Sequence, residues 1–358
     1  MPASFVRERL LAELAVQRAS VLTKKVLSTV NRGEFSKADS TPVTIADFAA
    51  QAILICAIHS AFPSDGFVGE EAADALREDQ LLRQRVWELA SSTHLDDEES
   101  ESMLASPASM EELFECIDRG GRGLGGREGR IWMLDPIDGT AAFLRGEQYA
   151  VSLALLEDGK EVVGVVGCPN LSLVTGRVEE TSVDEEGMGL MLSAVKGEGA
   201  VIRPMGTGGL RPARSIERSL DGPMNVKDLH FVDCTISGMA SHEKVRRVAE
   251  ELGAVYPGAR VWSSHMRYIA LVVGGADFQV RIPLKSKPVY VWDHAGSQLI
   301  FTEVGGRITD LEGKDIDFGR GRRLSNNWGL VAAKQGIHTM VFNVVTRVLK
   351  EEEKSARG

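Results

Sequence analysis

Apolar residues recur at helical spacing through residues 4–30, at Phe5, Val6, Leu10, Leu14, Val21, Leu22, Val26 and Leu27. That period predicts one long amphipathic helix. A polar loop, Asn31 to Pro42, follows. Thr44-Ile-Ala-Asp47 then opens a second helix, Phe48 to His59, with apolar residues all round. A turn at Phe62-Pro-Ser-Asp-Gly66 leads to a short strand, Phe67-Val68, which ends at Gly69-Glu-Glu71. Residues 72–115 read as helical with a break. The acidic run from Asp96 to Glu101 reads as a solvated loop or helix start. The Gly/Arg-rich stretch from Gly120 to Gly129 lacks the Lys-Ser/Thr of a P-loop, so it reads as a connector rather than a phosphate cradle.

A strand at Ile131–Leu134 runs into Asp135-Pro-Ile-Asp-Gly-Thr140. Ala150–Leu156 and Val162–Cys168, joined by the turn Glu157–Lys160, form a hairpin pattern, and Leu190–Lys196 with Gly199–Arg203 form another. Residues 203–225, rich in Gly, Pro and Arg, look like a linker. Beyond them strands (Leu229–Cys234, Ala276–Ile282, Gly329–Ala332) alternate with helices (His242–Leu252, Met266–Val273, Asp293–Thr302, Ile337–Glu353). Such alternation implies mixed α/β layers.

The 358 residues are 43% hydrophobic and 26% charged, a globular composition. Forty-one basic against 51 acidic residues give a net charge of −10. This balance opposes a nucleic-acid coat or a polybasic membrane surface. It leaves room for a phosphorylated ligand, because bound cations reverse the local sign. Four dispersed cysteines (Cys56, Cys116, Cys168, Cys234) read as buried thiols in a reducing, cytoplasmic setting. The N-terminus has no long apolar stretch of the secretory kind.

The stretch Asp135-Pro-Ile-Asp-Gly-Thr140 carries the most chemistry. Two carboxylates lie three apart at a strand exit, Gly139 permits a tight turn, and Thr140 is placed to cap the next helix. The Ile137 carbonyl can join the carboxylates around a hard cation such as Mg2+. The plainer reading is an Asp-Gly turn with a capping Thr. Glu70, Glu71, Asp47 and Asp293 each occupy an element end, where a cap or a surface charge is the default. Together they favour a carboxylate-lined metal site.

Gly69-Glu-Glu71, Asp135-Pro-Ile-Asp-Gly-Thr140 and Trp292-Asp-His-Ala-Gly296 resemble the signature of the inositol monophosphatase superfamily, Mg2+-dependent and lithium-sensitive phosphatases. Thr41-Pro-Val-Thr-Ile-Ala-Asp-Phe-Ala-Ala-Gln51, Phe143-Leu-Arg-Gly-Glu-Gln148, Gly167-Cys-Pro-Asn170 and Asp317-Phe-Gly-Arg-Gly-Arg322 resemble its fungal-type 3'(2'),5'-bisphosphate nucleotidases. The likeness runs from about residue 5 to 335.

It implies an α/β fold, the layered αβαβα sandwich of the inositol monophosphatase and fructose-1,6-bisphosphatase type. The expected division is an α+β domain over 1–205, a linker over 206–225 and an α/β domain over 226–358. By position, Glu70, Asp135 and the Ile137 carbonyl would hold one Mg2+, and Asp135, Asp138 and Asp293 a second, of two or three ions in all. Asp47 and Thr140 would orient and deprotonate the attacking water. His242, Ser264, Arg267 and Arg281, with Thr140 and Asp293, would bind the substrate.

The implied substrate is adenosine 3'(2'),5'-bisphosphate, with 3'-phosphoadenylyl sulfate a further candidate. The alternatives are an inositol or sugar monophosphate phosphatase and a catalytically silent nucleotide or metal sensor. The implied partner is this small nucleotide, without nucleic acid or membrane, and the chain is expected as a monomer or weak homo-oligomer. Three positions depart from the family. Arg267 stands where a Lys is usual, keeping the charge on a planar fork. Met239 stands where a His is common, with His242 as the neighbouring candidate. Ala141 replaces a frequent Lys.

Overall fold

The computed structural model describes residues 5–31, 41–219, 229–234, 238, 240–284 and 288–355. Met239 lies outside them. Seven strands stand side by side in chain order: β1 (Gly66–Gly69), β2 (Arg130–Asp138), β3 (Ala150–Glu157), β4 (Lys160–Cys168), β5 (Leu190–Val195), β6 (Gly199–Pro204) and β7 (Arg214–Ser215). β1 runs parallel to β2, and every later pair is antiparallel. β3 is buried on both faces, and its two-residue side-chain period sorts it between two cores. Val151, Leu153 and Leu155 pack with Leu14, Leu22 and Ile53. Ala154 and Leu156 pack with Val291 and Trp292 on the other side.

Helices α1 (Val6–Asn31) and α2 (Thr41–Ala61) cover the first face, with α3 (Asp74–Glu78), α4 (Gln80–Ser91), α5 (Glu98–Ser102) and α6 (Met110–Gly121) beside them. After α7 (Thr140–Arg145) and α8 (His242–Leu252), α9 (Ser264–Val273) and α10 (Ser297–Glu303) cover the second face. Beyond α10 lies a smaller antiparallel sheet of order β10 (Phe278–Arg281), β12 (Leu330–Lys334), β11 (Gly306–Thr309). Its far side is closed by α8 and α11 (Gln335–Ser355). A short parallel pair, β8 (Val232–Asp233) and β9 (Ala259–Arg260), flanks it. The layers are therefore α-β-α-β-α, as the resemblance implies.

Several boundaries differ from expectation. α2 begins at Thr41 rather than Phe48, so Asp47 sits inside the helix and not before it. Residues 43–61 of α2 are long and apolar enough to cross a bilayer, yet 83% of that window is buried against neighbouring elements. The 229–234 strand shrinks to Val232–Asp233 because its neighbour β9 is equally short. α10 starts at Ser297, leaving Asp293 in a preceding turn. Part of the expected linker is used by the sheet. Arg214–Ser215 pairs with β6, where an open edge offers unpaired backbone groups; residues 220–228 lie outside the described residues. The Gly/Arg connector is tied down by ion pairs from Arg122 to Asp74 and from Arg127 to Asp317.

Arg18 of α1 is fully buried. Its guanidinium donates to Glu101 Oε1 (2.8 Å), Ser106 Oγ (3.1 Å) and the carbonyls of Ile53 (3.3 Å) and Ala105 (2.7 Å). One side chain thus binds α1 to α2 and to α5, the acidic run whose charges read as solvated. Removing one partner of a buried ion pair strands the other. Arg18→Leu is expected to lower unfolding free energy by about 3 kcal/mol, as urea denaturation would show; a loss under 1 kcal/mol would mean the tie is not structural.

Candidate active site

In a regular strand, residues three apart face opposite sides. Asp135 and Asp138 on β2 escape that rule. Their partners on β3, Ser152 and Ala150, are only two apart, so the ladder shifts register between them. The extra residue of this bulge turns Asp138 back to the side of Asp135. Pro136 lacks the N–H that a regular ladder would use, and the Ile137 N–H donates to Asp135 Oδ1 (3.1 Å). Ligand oxygens of Asp135, Asp138 and Asp293 then lie within 4.8 Å of one another.

Asp293 reaches this point from the turn before α10. Gly296 closes the turn at φ +89°, a region open chiefly to glycine. Gly164 of β4 lets the turn press on the sheet: a Cβ there would stand 2.6 Å from the Gly296 carbonyl oxygen. The Gly296 N–H donates to Glu161 Oε1 (2.7 Å). From the other side, the start of α9 grips Asp138. Ser263 Oγ (2.5 Å) and the His265 N–H (2.7 Å) both donate to Asp138 Oδ2. His265 Nε2 donates to the Trp292 carbonyl (2.8 Å), and its Nδ1 faces Ser297 Oγ (2.7 Å). One histidine thus spans the turns that carry Asp138 and Asp293.

Glu70 and Glu71 follow β1, and Asp47 is buried in α2. Burial, then the charges of Glu71 and Glu70, raise Asp47 well above the carboxylate range. Asp135 is raised by burial and by Glu70, Asp138, Asp293 and Asp47. Asp293 rises to about 7, by burial and Asp138, with Arg281 and Arg267 pulling the other way. Glu70 keeps an exposed edge, yet desolvation and the charges of Glu71, Asp293 and Asp138 push it up to about 8, with Arg322 pulling the other way. Burial and mutual repulsion of this kind single the cluster out as a candidate functional site.

Thr140 departs from expectation. Gly139, at φ +97°, occupies the N-cap position, and Thr140 is the first residue of α7. Its Oγ1 donates to the Ile137 carbonyl (3.4 Å), and no hydrogen bond joins it to Asp47 among the described residues. Ala141 is exposed beside it.

The cationic residues gather next to Asp293. Arg267 is aimed by the carbonyls of Val261 (3.0 Å) and Trp262 (2.8 Å) and by Ser264 Oγ (2.9 Å). Arg281 ends β10, and burial and the charge of Arg267 lower its affinity for a proton. His242 opens α8, 3.7 Å from Asp233, and reaches this group through that carboxylate.

Curated relatives match the chain end to end. A 3'(2'),5'-bisphosphate nucleotidase of Emericella nidulans is 42% identical over 354 residues, covering 97% of this chain and 99% of its own. One of Schizosaccharomyces pombe is 39% identical, covering 98% of each. The profile of the Inositol monophosphatase family matches residues 7–350. The chain belongs to the inositol monophosphatase family. Its fold is also that of Mycobacterium tuberculosis SuhB, with a TM-score of 0.57, 19% identity and 96% of both chains covered.

Within this family frame, several supporting residues escape a reading of single motifs. Ser263 shows only as a Ser three residues before an apolar run, the mark of a helix cap; it does cap Met266 N (3.0 Å) while holding Asp138. Nothing in the sequence around His265 signals its contacts, because they span 27 to 127 residues of chain. The donor set itself suits a hard divalent cation: clustered carboxylate oxygens with no sulfur or imidazole among them.

The raised carboxylates give a signed prediction. In the cation-free protein they stay protonated where the unfolded chain ionises, so their stabilisation is complete below about pH 4 and is lost as pH rises to about 8. Thermal stability in chelator should therefore fall between pH 6 and pH 8. Added divalent cation should remove most of that fall. A flat or rising profile in chelator would contradict the clustering.

Proposed function

We propose that this chain removes the 3'(2')-phosphate of adenosine 3'(2'),5'-bisphosphate, giving AMP and phosphate, with Mg2+ at the acidic cluster. As a member of its family it is a phosphoric monoester hydrolase. The observation that carries the finer reading is the junction at Asp293. There the carboxylate cluster meets two arginines whose charges both act on Asp293. A substrate with a phosphate at each end fits that junction: one phosphate over the acids, where cations would offset them, and the other on Arg267 and Arg281. The names of the relatives agree.

Glu70, Asp135, Asp138, Asp293 and the Ile137 carbonyl would hold Mg2+. Bound there, Mg2+ supplies positive charge to the phosphoryl oxygens and the departing oxygen and makes water more acidic. Asp47, buried beside Glu70 and Glu71, would accept the proton of the attacking water once bound cations offset those neighbours and leave it ionised. Thr140, exposed at the mouth, orients that water. Its hydroxyl must first leave the long contact to Ile137. Ser263 and His265 keep one oxygen of Asp138 occupied, so the other faces the cluster. Arg267, already aimed by Ser264, meets the far phosphate with its fork preformed. His242, through Asp233, borders the nucleotide. A reducing, cytoplasmic setting suits the four buried cysteines, none in a disulfide among the described residues.

Phosphate release should be far faster from adenosine 3',5'-bisphosphate than from inositol 1-phosphate at equal concentration, and should vanish in chelator. Preference for the inositol ester would favour the sugar-phosphate reading; tight binding without turnover would favour a sensor. Asp135→Asn is expected to abolish turnover with the fold retained by circular dichroism. Arg281→Ala should raise KM for the bisphosphate at least about tenfold, with a smaller change in kcat; an unchanged KM would remove Arg281 from the site.

A further inference from the structure

Glu70 has an exposed edge, and its carboxylate takes no hydrogen bond among the described residues. Its placement therefore depends on its backbone, with the nearby charge of Arg322 also acting on the carboxylate. That backbone is gripped on both sides. Before it, Arg322 Nη2 donates to the Gly69 carbonyl (2.7 Å). After it, Gln51 accepts from the Glu71 N–H (3.0 Å) and donates to the Glu71 carbonyl (2.6 Å). Both side chains brace themselves on the end of α6. Gln51 Nε2 donates to the Ile117 carbonyl (2.8 Å), and Arg322 Nη1 donates to those of Gly120 (2.9 Å) and Gly123 (3.0 Å). The Arg322 guanidinium also lies 4.6 Å over the ring of Trp292, the residue before Asp293.

The surroundings permit nothing bulkier. A Cβ on Gly69 or Gly120 would stand 2.7 or 2.9 Å from the Gln51 amide. Arg322 and Glu70 share the wall of a cavity of about 620 Å³ with Tyr290, Trp292, Arg320 and Arg323. Arg323 sits over Tyr290 and makes none of these carbonyl contacts.

We propose that Arg322 and Gln51 are positioning residues that set Glu70 for metal binding, and that Arg322 ties its placement to the Trp292–Asp293 turn. Buried polar contacts behind a metal ligand orient it, and their loss typically weakens metal binding about 10- to 100-fold. Arg322 suits the task because a rigid fork serves three carbonyls and one ring face together, which a single ammonium cannot. The inference rests on the metal reading of the acidic cluster and is independent of which phosphate ester is cleaved.

Calorimetric titration of the full chain with Mg2+ alone tests it, alongside thermal melts in chelator. Arg322→Ala and Arg322→Lys should each weaken Mg2+ binding at least about tenfold. Arg323→Ala, in the same cavity, should leave it unchanged. Gln51→Leu should weaken it as well, read only if the variant melts cooperatively. Lysine restoring normal affinity would show that charge beside Glu70 matters rather than the grip, and would overturn the proposal. Arg322 variants that melt lower yet bind Mg2+ normally would reduce the grip to a purely structural one. Wild type that takes up no Mg2+ would sink the metal reading and this inference with it.

Discussion

The carboxylates of Asp135, Asp138 and Asp293 meet within 4.8 Å, with Glu70 and Asp47 near enough to raise Asp135 further, and like charges resist such crowding. The rest of the molecule is arranged around that resistance. The fold must hold Asp47, Glu70, Asp135, Asp138 and Asp293 together by bonds that do not neutralise them. It does so largely through backbone and neutral donors. The β2 bulge turns Asp138, the start of α9 grips its outer oxygen, and Glu161 secures Gly296 behind Asp293. None of these supplies a full positive charge to the cluster. The uncompensated charge shows as raised proton affinity at Asp135, Asp293 and Glu70, which the nearby arginines only partly offset.

The layering explains how distant segments reach that point. β1 and β2 end at the same edge because they are parallel neighbours, which brings Glu70 beside Asp135. α2 lies against β2 and contributes Asp47 from one face. α9 and the turn before α10 arrive from the other face, so Asp293 stands where the acidic cluster meets Arg267 and Arg281. Opposite signs side by side give a ligand both orientation and register. An anion over the acids needs cations there, while an anion on the arginines needs none.

Much of this was legible from residue order. The three-motif resemblance placed the layers and the acidic residues, and periodicity located most long helices and the β3–β4 hairpin. Where local patterns misled, tertiary contact is the reason. Thr44-Ile-Ala reads as a helix start, yet α2 begins earlier at Thr41. Asp293–Thr302 reads as helix, but its first residues form a turn held by Glu161 and Gly164 on β4, and α10 begins at Ser297. Thr140 has the chemistry of a cap, yet Gly139 adopts the left-handed geometry and takes the position. Arg322 and Gln51 stood inside quoted stretches without an assigned part, because their partners lie up to 253 residues away.

The sequence by itself determined the donor types, their family pattern and the apolar faces that stack into layers, since each depends on residue identity and local period. Only the tertiary structure decided which oxygens meet, which serine and histidine hold them, and that Thr140 turns toward Ile137 instead of Asp47. Those outcomes depend on contacts between segments far apart in the chain, and local preference carries no information about them.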